Sequence, residues 1–440
     1  MAWTGREGPT DRAWRAAVVL GLVLIAGSLA FALLLPVALG WPHHDRAGRF
    51  VLAVAASRDF WVAPAAAAYG ANGALGFVYE ASPFLTALPL YPILLAPLVA
   101  IGQALALTEP PAPTSTMYFL LAPFTAGLAI PLLHQVRGLI RDANPSASTL
   151  AVQAWTAVLV AVPVLVVFGH GEDALALLAL LAAVRLAGRE RWTAAGLLLG
   201  FAIASKQWAL LALPALLVLS PRTERARVAV ASLALPAMLA LFVLAVDWPH
   251  ASRALLHPPN YPAFGHAALW IDANATTVVT APFRVGALAL AAALAARSRG
   301  GTSRLLAVLG LTLLARCAFE PVAHVYYLAP GLCLLLLHER LTTGRCTRTA
   351  AGGSLLLAWF ELHPDPVLWW AVAALLGAAV AYRAGGEILA GPAEAAAGTG
   401  VEAAASSRTG ASASAGATSD GRGAPRATAA RDTSDSGSHQ

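Results

Sequence analysis

Residues 169–219 read GHGEDALALLALLAAVRLAGRERWTAAGLLLGFAIASKQWALLALPALLVL. Two apolar segments flank a basic turn with Arg185, Arg189 and Arg191, and the second segment contains Lys206, the only lysine of the chain. Crossing about 30 Å of hydrocarbon at about 1.5 Å per residue takes about 20 apolar residues. The stretch therefore predicts helices at membrane depth whose connecting basic turn stays in the cytoplasm.

The composition of the whole chain also indicates a membrane protein. Of its 440 residues, 58% are hydrophobic and 12% are charged, whereas a soluble domain carries about 25% charged residues. This excludes a soluble multidomain enzyme and predicts an all-α, polytopic transmembrane helical bundle with about 10 to 12 membrane segments. The net charge of +6 is not evidence for nucleic-acid binding, because basic residues in a membrane protein mark its cytoplasmic loops.

The sequence divides into three regions by composition. Residues 1–12 are a cytoplasmic N-terminus, 13–383 a transmembrane domain, and 384–440 a tail rich in Ala, Gly, Ser and Thr, whose composition predicts disorder in the cytoplasm. Within the domain, 41–83 and 247–277 are predicted as the first and second outer loops. The apolar runs are 13–40, 84–107, 117–135, 149–168, 172–187, 193–219, 228–246, 278–296, 304–337 and 353–383.

Two of these runs have basic residues at both ends and an unusual length. The 27 residues of 193–219 extend about 40 Å as a helix, which is too long for one crossing and too short for two. We expect a hairpin of two short helices with Lys206 at the bend, and a similar hairpin over 305–337. The prolines in 84–107 favour a broken, re-entrant helix. Non-helical backbone at such depth is tolerated around a protein-lined cavity, so the bends predict a shared outer cavity.

The candidate functional residues are polar and ionisable residues expected on the outer side, in the first outer loop, in the turn 169–173 and near these bends, because charges at membrane depth are costly and usually functional. Several of these residues also have a purely structural explanation. Glu172 and Asp173 could simply complement the dipole of the following helix, and Lys206 could extend its ammonium to the membrane interface. Arg316 and Glu320 could form an i, i+4 ion pair. Tyr327 could belong to an aromatic belt at the membrane surface. The candidates are Asp45, Asp59, His170, Glu172, Asp173, Lys206, Arg316, Glu320, His324 and Tyr327.

Three stretches carry a resemblance to a known family. They are Asp59-Phe60 followed by Tyr79 and LPLYPILLAPL (88–98), the stretch 169–219 quoted above, and RCAFEPVAHVYYLAP (316–330). Their order over residues 13–383 resembles the GT-C fold of integral membrane glycosyltransferases, and especially glycosyltransferase family 87, the polyprenyl-phosphate-mannose-dependent mannosyltransferases.

The resemblance implies transfer of a hexose, mannose in that family, from a polyprenyl-phosphate donor to a lipid or glycan acceptor on the outer face. It implies Asp59 as the catalytic base, with Asp45 as the rival. Lys206 and Arg316 are expected to stabilise the leaving phosphate. His170, Glu172, Asp173, Glu320, His324 and Tyr327 would complete the substrate site. The expected partners are the lipid-linked donor, the acceptor and membrane lipids, with no cofactor, no metal and no nucleic acid.

Two other classes of function remain open from the sequence. A secondary transporter or lipid flippase would use membrane ionisable groups as a relay, but such sites usually lie at the midplane between related repeats, and the sequence has no visible repeat. A catalytically inactive relative or membrane scaffold is the third possibility.

Overall fold

The computed structural model describes residues 9–39, 78–79, 87–104, 117–256, 277–297, 301–317 and 325–362. All regular secondary structure in these ranges is helical, as the all-α prediction requires. The chain divides into two units, Met1–Leu389 and Ala390–Gln440, and every described residue lies in the first. Residues 1–8, the predicted first outer loop apart from Val78 and Tyr79, and the predicted tail lie outside the described residues.

The helices follow the apolar runs of the sequence. The first seven are α1 (Pro9–Leu39), α2 (Leu90–Ala104), α3 (Met117–Gly127), α4 (Ala129–Ala143), α5 (Leu150–Thr156, continued as a π-helix over Ala157–Val167), α6 (Gly171–Ala187) and α7 (Trp192–Ser205). A 3₁₀ segment, Gln207–Ala212, then leads into α8 (Leu213–Leu219). The others are α9 (Arg225–Val246), α10 (Trp248–Leu256), α11 (Thr277–Arg297), α12 (Thr302–Arg316), a 3₁₀ turn (Val325–Leu328), α13 (Ala329–Thr343) and α14 (Thr347–Leu362).

Three helices among the described residues are long and apolar enough to cross a membrane. They are Ala13–Leu34 within α1, Leu150–Val167, and Arg225–Val246. Large apolar side chains on α1 and α9 are exposed, including Leu34 at 64% and Leu241 at 68%, as expected for helix faces that contact lipid rather than water. These features support a membrane protein.

Both long runs with basic ends return to the side from which they start. Residues 190–194, at the start of α7, and Pro221, Thr223 and Glu224, after α8, line one cavity of about 570 Å³. Residues 301–304, at the start of α12, and His338, Leu341 and Thr342, at the end of α13, line another of about 550 Å³. The ends of each segment therefore lie together, which is the geometry of a helical hairpin.

α6 runs between two oppositely charged groups of residues. Glu172 and Asp173 lie in its first turn and Arg185 in its last, about 20 Å apart at 1.5 Å per residue. At the basic end, Asp142 of α4 accepts hydrogen bonds from Arg185 Nε at 2.7 Å and Arg189 Nη2 at 2.7 Å. The acidic first turn of α6 thus lies at the opposite end of the helix from the arginine-rich turn.

Close helix packing fixes the position of the α7–α8 hairpin. A Cβ added at Gly200 of α7 would lie 2.9 Å from the carbonyl oxygens of Ala231 and Ser232 in α9, and one at Gly196 would lie 2.9 Å from Ala231 Cβ. Small residues at such a spacing let two helix backbones approach closely. α7 also packs extensively on α6, so α6, α7 and α9 form a tight layer.

Three details differ from the sequence-based boundaries. The run 117–135 is two helices, α3 and α4, which meet at Leu128. The predicted second outer loop is partly helical, because α10 occupies Trp248–Leu256. The helix predicted to be broken in 84–107 is continuous over α2 with Pro97 inside it, although its length of about 22 Å is shorter than a full crossing, as a re-entrant segment requires.

Candidate functional site

The candidate site is built where two helices end. Glu172 and Asp173 lie in the first turn of α6, directly after His170. Lys206 lies between the end of α7 and the following 3₁₀ segment, with an extended backbone (φ −154°, ψ 126°). Lys206 therefore interrupts the helix at the predicted bend. We call His170, Glu172, Asp173 and Lys206 the buried charge cluster.

Both carboxylates of the buried charge cluster bind the lysine. Lys206 Nζ donates to Glu172 Oε1 at 2.9 Å and lies 3.2 Å from Asp173 Oδ2. His170 Nδ1 lies 2.5 Å from Glu172 Oε1 and 3.9 Å from Asp173 Oδ2. The His170 Nδ1, a Glu172 carboxylate oxygen and an Asp173 carboxylate oxygen all lie within 4.8 Å of one another.

The cluster is largely shielded from solvent. Glu172 has no exposed surface, Asp173 is 3% exposed, and the Lys206 side chain is 18% exposed. With a neutral histidine, two carboxylates face one ammonium, which leaves one net negative charge among these four side chains. Buried charges are costly unless they are paired, so this ion-pair network depends on all of its members.

Trp208 supports the cluster, although sequence reasoning did not select it. Its indole Nε1–H donates to Asp173 Oδ1 at 2.6 Å, and Trp208 is 6% exposed. A buried indole N–H usually has a hydrogen-bond partner. A tryptophan two residues after a lysine in an apolar run was therefore a usable signal for a polar contact at this bend.

An aromatic chain joins the cluster to Arg316. The Tyr326 ring stacks on His170 with centroids 4.1 Å apart, and Tyr327 meets Tyr326 edge-on at 4.9 Å. Arg316, at the end of α12, lies with its guanidinium carbon 4.9 Å from the Tyr327 ring centroid, within the range of a cation–π interaction. The two predicted cations, Lys206 and Arg316, thus lie on one continuous set of contacting side chains.

Tyr91, at the start of α2, closes another side of the cluster. Tyr91 Oη lies 3.3 Å from Thr125 Oγ1, and a Cβ added at Gly171 would overlap the Tyr91 hydroxyl. Gly171 therefore allows the α2 tyrosine to contact the backbone at the start of α6. Tyr79 is also buried, and its hydroxyl donates to Ala87 O at 3.0 Å.

The structure brings together six of the ten residues selected from the sequence. These are His170, Glu172, Asp173, Lys206, Arg316 and Tyr327. Asp45, Asp59, Glu320 and His324 lie outside the described residues, so the two catalytic aspartates and the Arg316–Glu320 pair stay predictions.

These contacts bear on two purely structural explanations, the helix dipole for Glu172 and Asp173 and the aromatic belt for the paired tyrosines. Glu172 and Asp173 lie in the first turn of α6, where their charge suits the helix dipole, but their carboxylates bind Lys206 and Trp208. Tyr326 is 5% exposed and stacks on His170, so the paired tyrosines line the cluster rather than only a membrane surface.

No protein-family model, curated protein or solved structure matches this chain. The site is therefore interpreted from its own chemistry. That chemistry comprises Arg316 against the Tyr327 ring, Lys206 paired with two buried carboxylates, and an imidazole that can exchange a proton or bind a cation.

Proposed function

We propose that the protein is a membrane glycosyltransferase of the GT-C kind. It transfers a hexose, with mannose as the first candidate, from a polyprenyl-phosphate donor to a lipid or glycan acceptor on the outer face of the membrane. The observation that carries the proposal is the buried charge cluster connected through Tyr326 and Tyr327 to Arg316.

The positions of the arginines support an outer site. Arg185 and Arg189 lie at the end of α6 opposite the cluster, and basic residues are retained on the cytoplasmic side. A cluster at the other end of α6 then faces the outer side, where a lipid-linked sugar has its sugar in water and its prenyl chain in the bilayer.

In the proposed reaction, the acceptor hydroxyl attacks the anomeric carbon of the donor. The acceptor oxygen forms the new glycosidic bond and gives its proton to Asp59, or to Asp45 as the alternative. The bond from the anomeric carbon to the phosphate oxygen breaks, and its electron pair leaves with the lipid phosphate, with inversion at the anomeric carbon. Lys206 and Arg316 stabilise that negative charge, which fixed cations do best in a water-poor site.

The test is a transfer assay with the full chain in membranes and labelled polyprenyl-phosphate mannose. Lys206→Ala and Arg316→Ala are expected to lower kcat by about 10²- to 10³-fold, the usual cost of removing a group that stabilises transition-state charge. Asp59→Asn is expected to lower kcat at least as much if Asp59 is the base. Arg189→Gln, at the opposite end of α6, is the matched control and is expected to retain activity.

Two results would contradict this function. One is that the wild type transfers no sugar from any polyprenyl-phosphate hexose. The other is that Lys206→Ala, Arg316→Ala and Asp59→Asn all keep wild-type rates while folding normally.

The buried Lys206–carboxylate contacts favour one other candidate, a secondary transporter. Paired ionisable groups at membrane depth also serve as proton relays. This candidate predicts ion-coupled solute uptake into proteoliposomes that Lys206→Ala abolishes, without any sugar transfer.

A further inference from the structure

Three side chains of the cluster have the chemistry of a metal-binding site. His170, Glu172 and Asp173 supply one imidazole nitrogen and two carboxylates, and they are 8%, 0% and 3% exposed. Metal–ligand distances of about 2.0–2.2 Å allow the donors around one ion to lie up to about 4.4 Å apart. His170 Nδ1 lies 2.5 Å from Glu172 Oε1 and 3.9 Å from Asp173 Oδ2. Small side-chain shifts bring these donors around a common centre once the proton between Nδ1 and Glu172 has moved to Nε2 or to solvent, because a metal binds an unprotonated imidazole nitrogen.

An independent observation also points to a missing cationic partner. Glu172 Oε2 is buried and has no hydrogen-bond partner among the described residues. Asp173 Oδ2 likewise makes no hydrogen bond, and its ion-pair contact with Lys206 Nζ is 3.2 Å long. Buried acceptor oxygens in proteins are nearly always satisfied. A cation coordinated by both carboxylates would satisfy both oxygens.

Directly between the two carboxylates, the local charge favours a cation. Glu172 and Asp173 contribute two negative charges and Lys206 one positive charge, so the group has a net negative charge when His170 is neutral. The Lys206 side chain is 18% exposed and follows the last residue of α7. Its ammonium can therefore withdraw from the carboxylates when a second cation binds.

The donor types select the class of cation. Imidazole is a poor ligand for Mg²⁺ and Ca²⁺, which prefer all-oxygen sites, whereas mixed nitrogen and carboxylate donors suit divalent transition metals. We propose that His170, Glu172 and Asp173 form a binding site for a divalent transition cation such as Mn²⁺, and that the Lys206 ammonium competes with this cation for the carboxylates. The site does not depend on the proposed transferase function, since its test measures binding alone.

The experiment titrates the purified full chain, in lipid nanodiscs and stripped with EDTA, with Mn²⁺ while free Mn²⁺ is measured by electron paramagnetic resonance. The wild type is expected to bind one Mn²⁺. Glu172→Gln and His170→Ala are expected to weaken binding at least tenfold. Lys206→Met removes the competing ammonium at nearly constant volume and is expected to strengthen binding at least tenfold.

Asp142→Asn is the matched control, because Asp142 is a carboxylate paired with two arginines at the other end of α6. It is expected to bind Mn²⁺ as the wild type does. Melting curves identify any unfolded variant. Lys206→Met keeps all three ligands, so it remains informative if Glu172→Gln does not fold.

The result that would overturn the site is equal Mn²⁺ binding, or none, in wild type and Lys206→Met. A cluster that serves only as a structural ion pair gives that result together with a lower melting temperature for Lys206→Met. Binding by wild type that survives both Glu172→Gln and His170→Ala would also overturn it, because the ion would then lie elsewhere.

Discussion

In the buried charge cluster, both carboxylate oxygens of Asp173 contact other side chains. One carboxylate oxygen accepts the Trp208 indole N–H at 2.6 Å, and the other faces Lys206 at 3.2 Å. Asp173 is 3% exposed, so water cannot replace a lost partner. The hydrogen bond to a buried charge is therefore a larger contribution to stability than an ordinary surface contact.

Replacing Trp208 by phenylalanine tests this hydrogen bond. Trp208→Phe keeps most of the apolar volume but leaves Asp173 Oδ1 without its donor. We expect a loss of about 1–3 kcal/mol in the free energy of unfolding, the usual cost of an unsatisfied buried polar group. Thermal melting in detergent measures it.

Trp155→Phe is the control for the loss of indole volume, since Trp155 is a partly buried tryptophan of the same bundle. An equal effect of the two substitutions would show that packing, rather than the bond to Asp173, accounts for the loss.

At the scale of elements, α6 connects the two ends of the bundle. Its first turn contributes the carboxylates, and Arg185 in its last turn binds Asp142 of α4 through two hydrogen bonds, at 2.7 and 3.2 Å. Asp142 lies beyond the apolar run 117–135. Hydrogen bonding from Arg185 lowers the pKa of the Asp142 carboxyl below its usual value of 3.8, and Arg189 acts in the same direction.

The lowered pKa of Asp142 gives a pH dependence with a definite sign. A depressed folded-state pKa stabilises the protein above the unfolded value, and this contribution is lost as the pH falls through the folded pKa. We expect Asp142→Asn to lower the free energy of unfolding at neutral pH by less than about 1 kcal/mol, since the ion pair is partly exposed, and melting curves should show a slightly lower melting temperature. The difference from wild type should shrink as the pH falls below the unfolded-state pKa and disappear once it lies below the lowered pKa of folded Asp142.

Glu224→Gln is the comparison for Asp142→Asn, because Glu224 pairs with Arg227, which is 72% exposed. Its melting temperature is expected to stay near that of wild type at every pH. A pH-independent effect of Asp142→Asn would mean that the ion pair is not its cause.

The contact between α7 and α9 predicts a strong effect of one methyl group. In Gly200→Ala the new Cβ would lie 2.9 Å from two backbone oxygens of α9, so the helices must move apart. Overpacking of this kind costs about 1–3 kcal/mol, measured as a lower melting temperature. Gly27→Ala in α1 is the matched control, since nothing lies within 4 Å of its added Cβ, and the higher helix propensity of alanine predicts a neutral or stabilising change.

At the scale of the whole molecule, the arrangement of charge defines the expected topology. The arginine-rich turns follow the C-terminal ends of α6 and α8. α9 begins at Arg225, and Asp247 follows its last residue and contacts His250. The 22-residue helix α9, about 33 Å long, lies between Thr223 and α10, which contains His250. Positive residues favour the cytoplasmic side, so these positions should face opposite compartments.

Cysteine labelling checks this arrangement. Cys317, Cys333 and Cys346 are buried, so we expect little background from the native chain. A membrane-impermeant maleimide added to intact cells should label His250→Cys and should label Thr223→Cys only after the membrane is opened. Labelling in the reverse pattern would place the buried charge cluster on the cytoplasmic side and exclude an outer active site.

Much of the bundle was predictable because apolar run length and arginine position are local properties of the sequence. The break at Lys206 followed from the length of 193–219 and its two basic flanks. The division of 117–135 at Leu128 was missed although the sequence has a local signal for it, because Pro131 has no N–H to donate to the carbonyl of Gly127 and so disfavours one continuous helix. The helix Trp248–Leu256 was also missed, since a short amphipathic helix resembles a polar loop in composition.

The site was predictable as a set of residues but not as a set of contacts. Charges in apolar runs are rare enough to select Glu172, Asp173, Lys206 and Arg316 directly. The stacking of Tyr326 on His170 and the Trp208 bond to Asp173 depend on side chains far apart in sequence, and no periodicity encodes them. Hence the sequence located the site at the helix bends, while the structure supplied the pairing of its charges.

The Lys206 bridge to Glu172 and Asp173 also bears on how the chain enters the membrane. A lysine or an aspartate adds about 2.5–3.5 kcal/mol to the apparent free energy of insertion at the centre of a membrane helix, which is an upper bound for charges at helix ends such as Lys206 and Asp173. α6 is synthesised before α7 and α8, so its carboxylates are present when Lys206 emerges. Pairing these charges removes most of the penalty that each segment carries alone. The α6–α8 region is therefore expected to leave the translocon as one unit, with the charges of the site already paired during biogenesis.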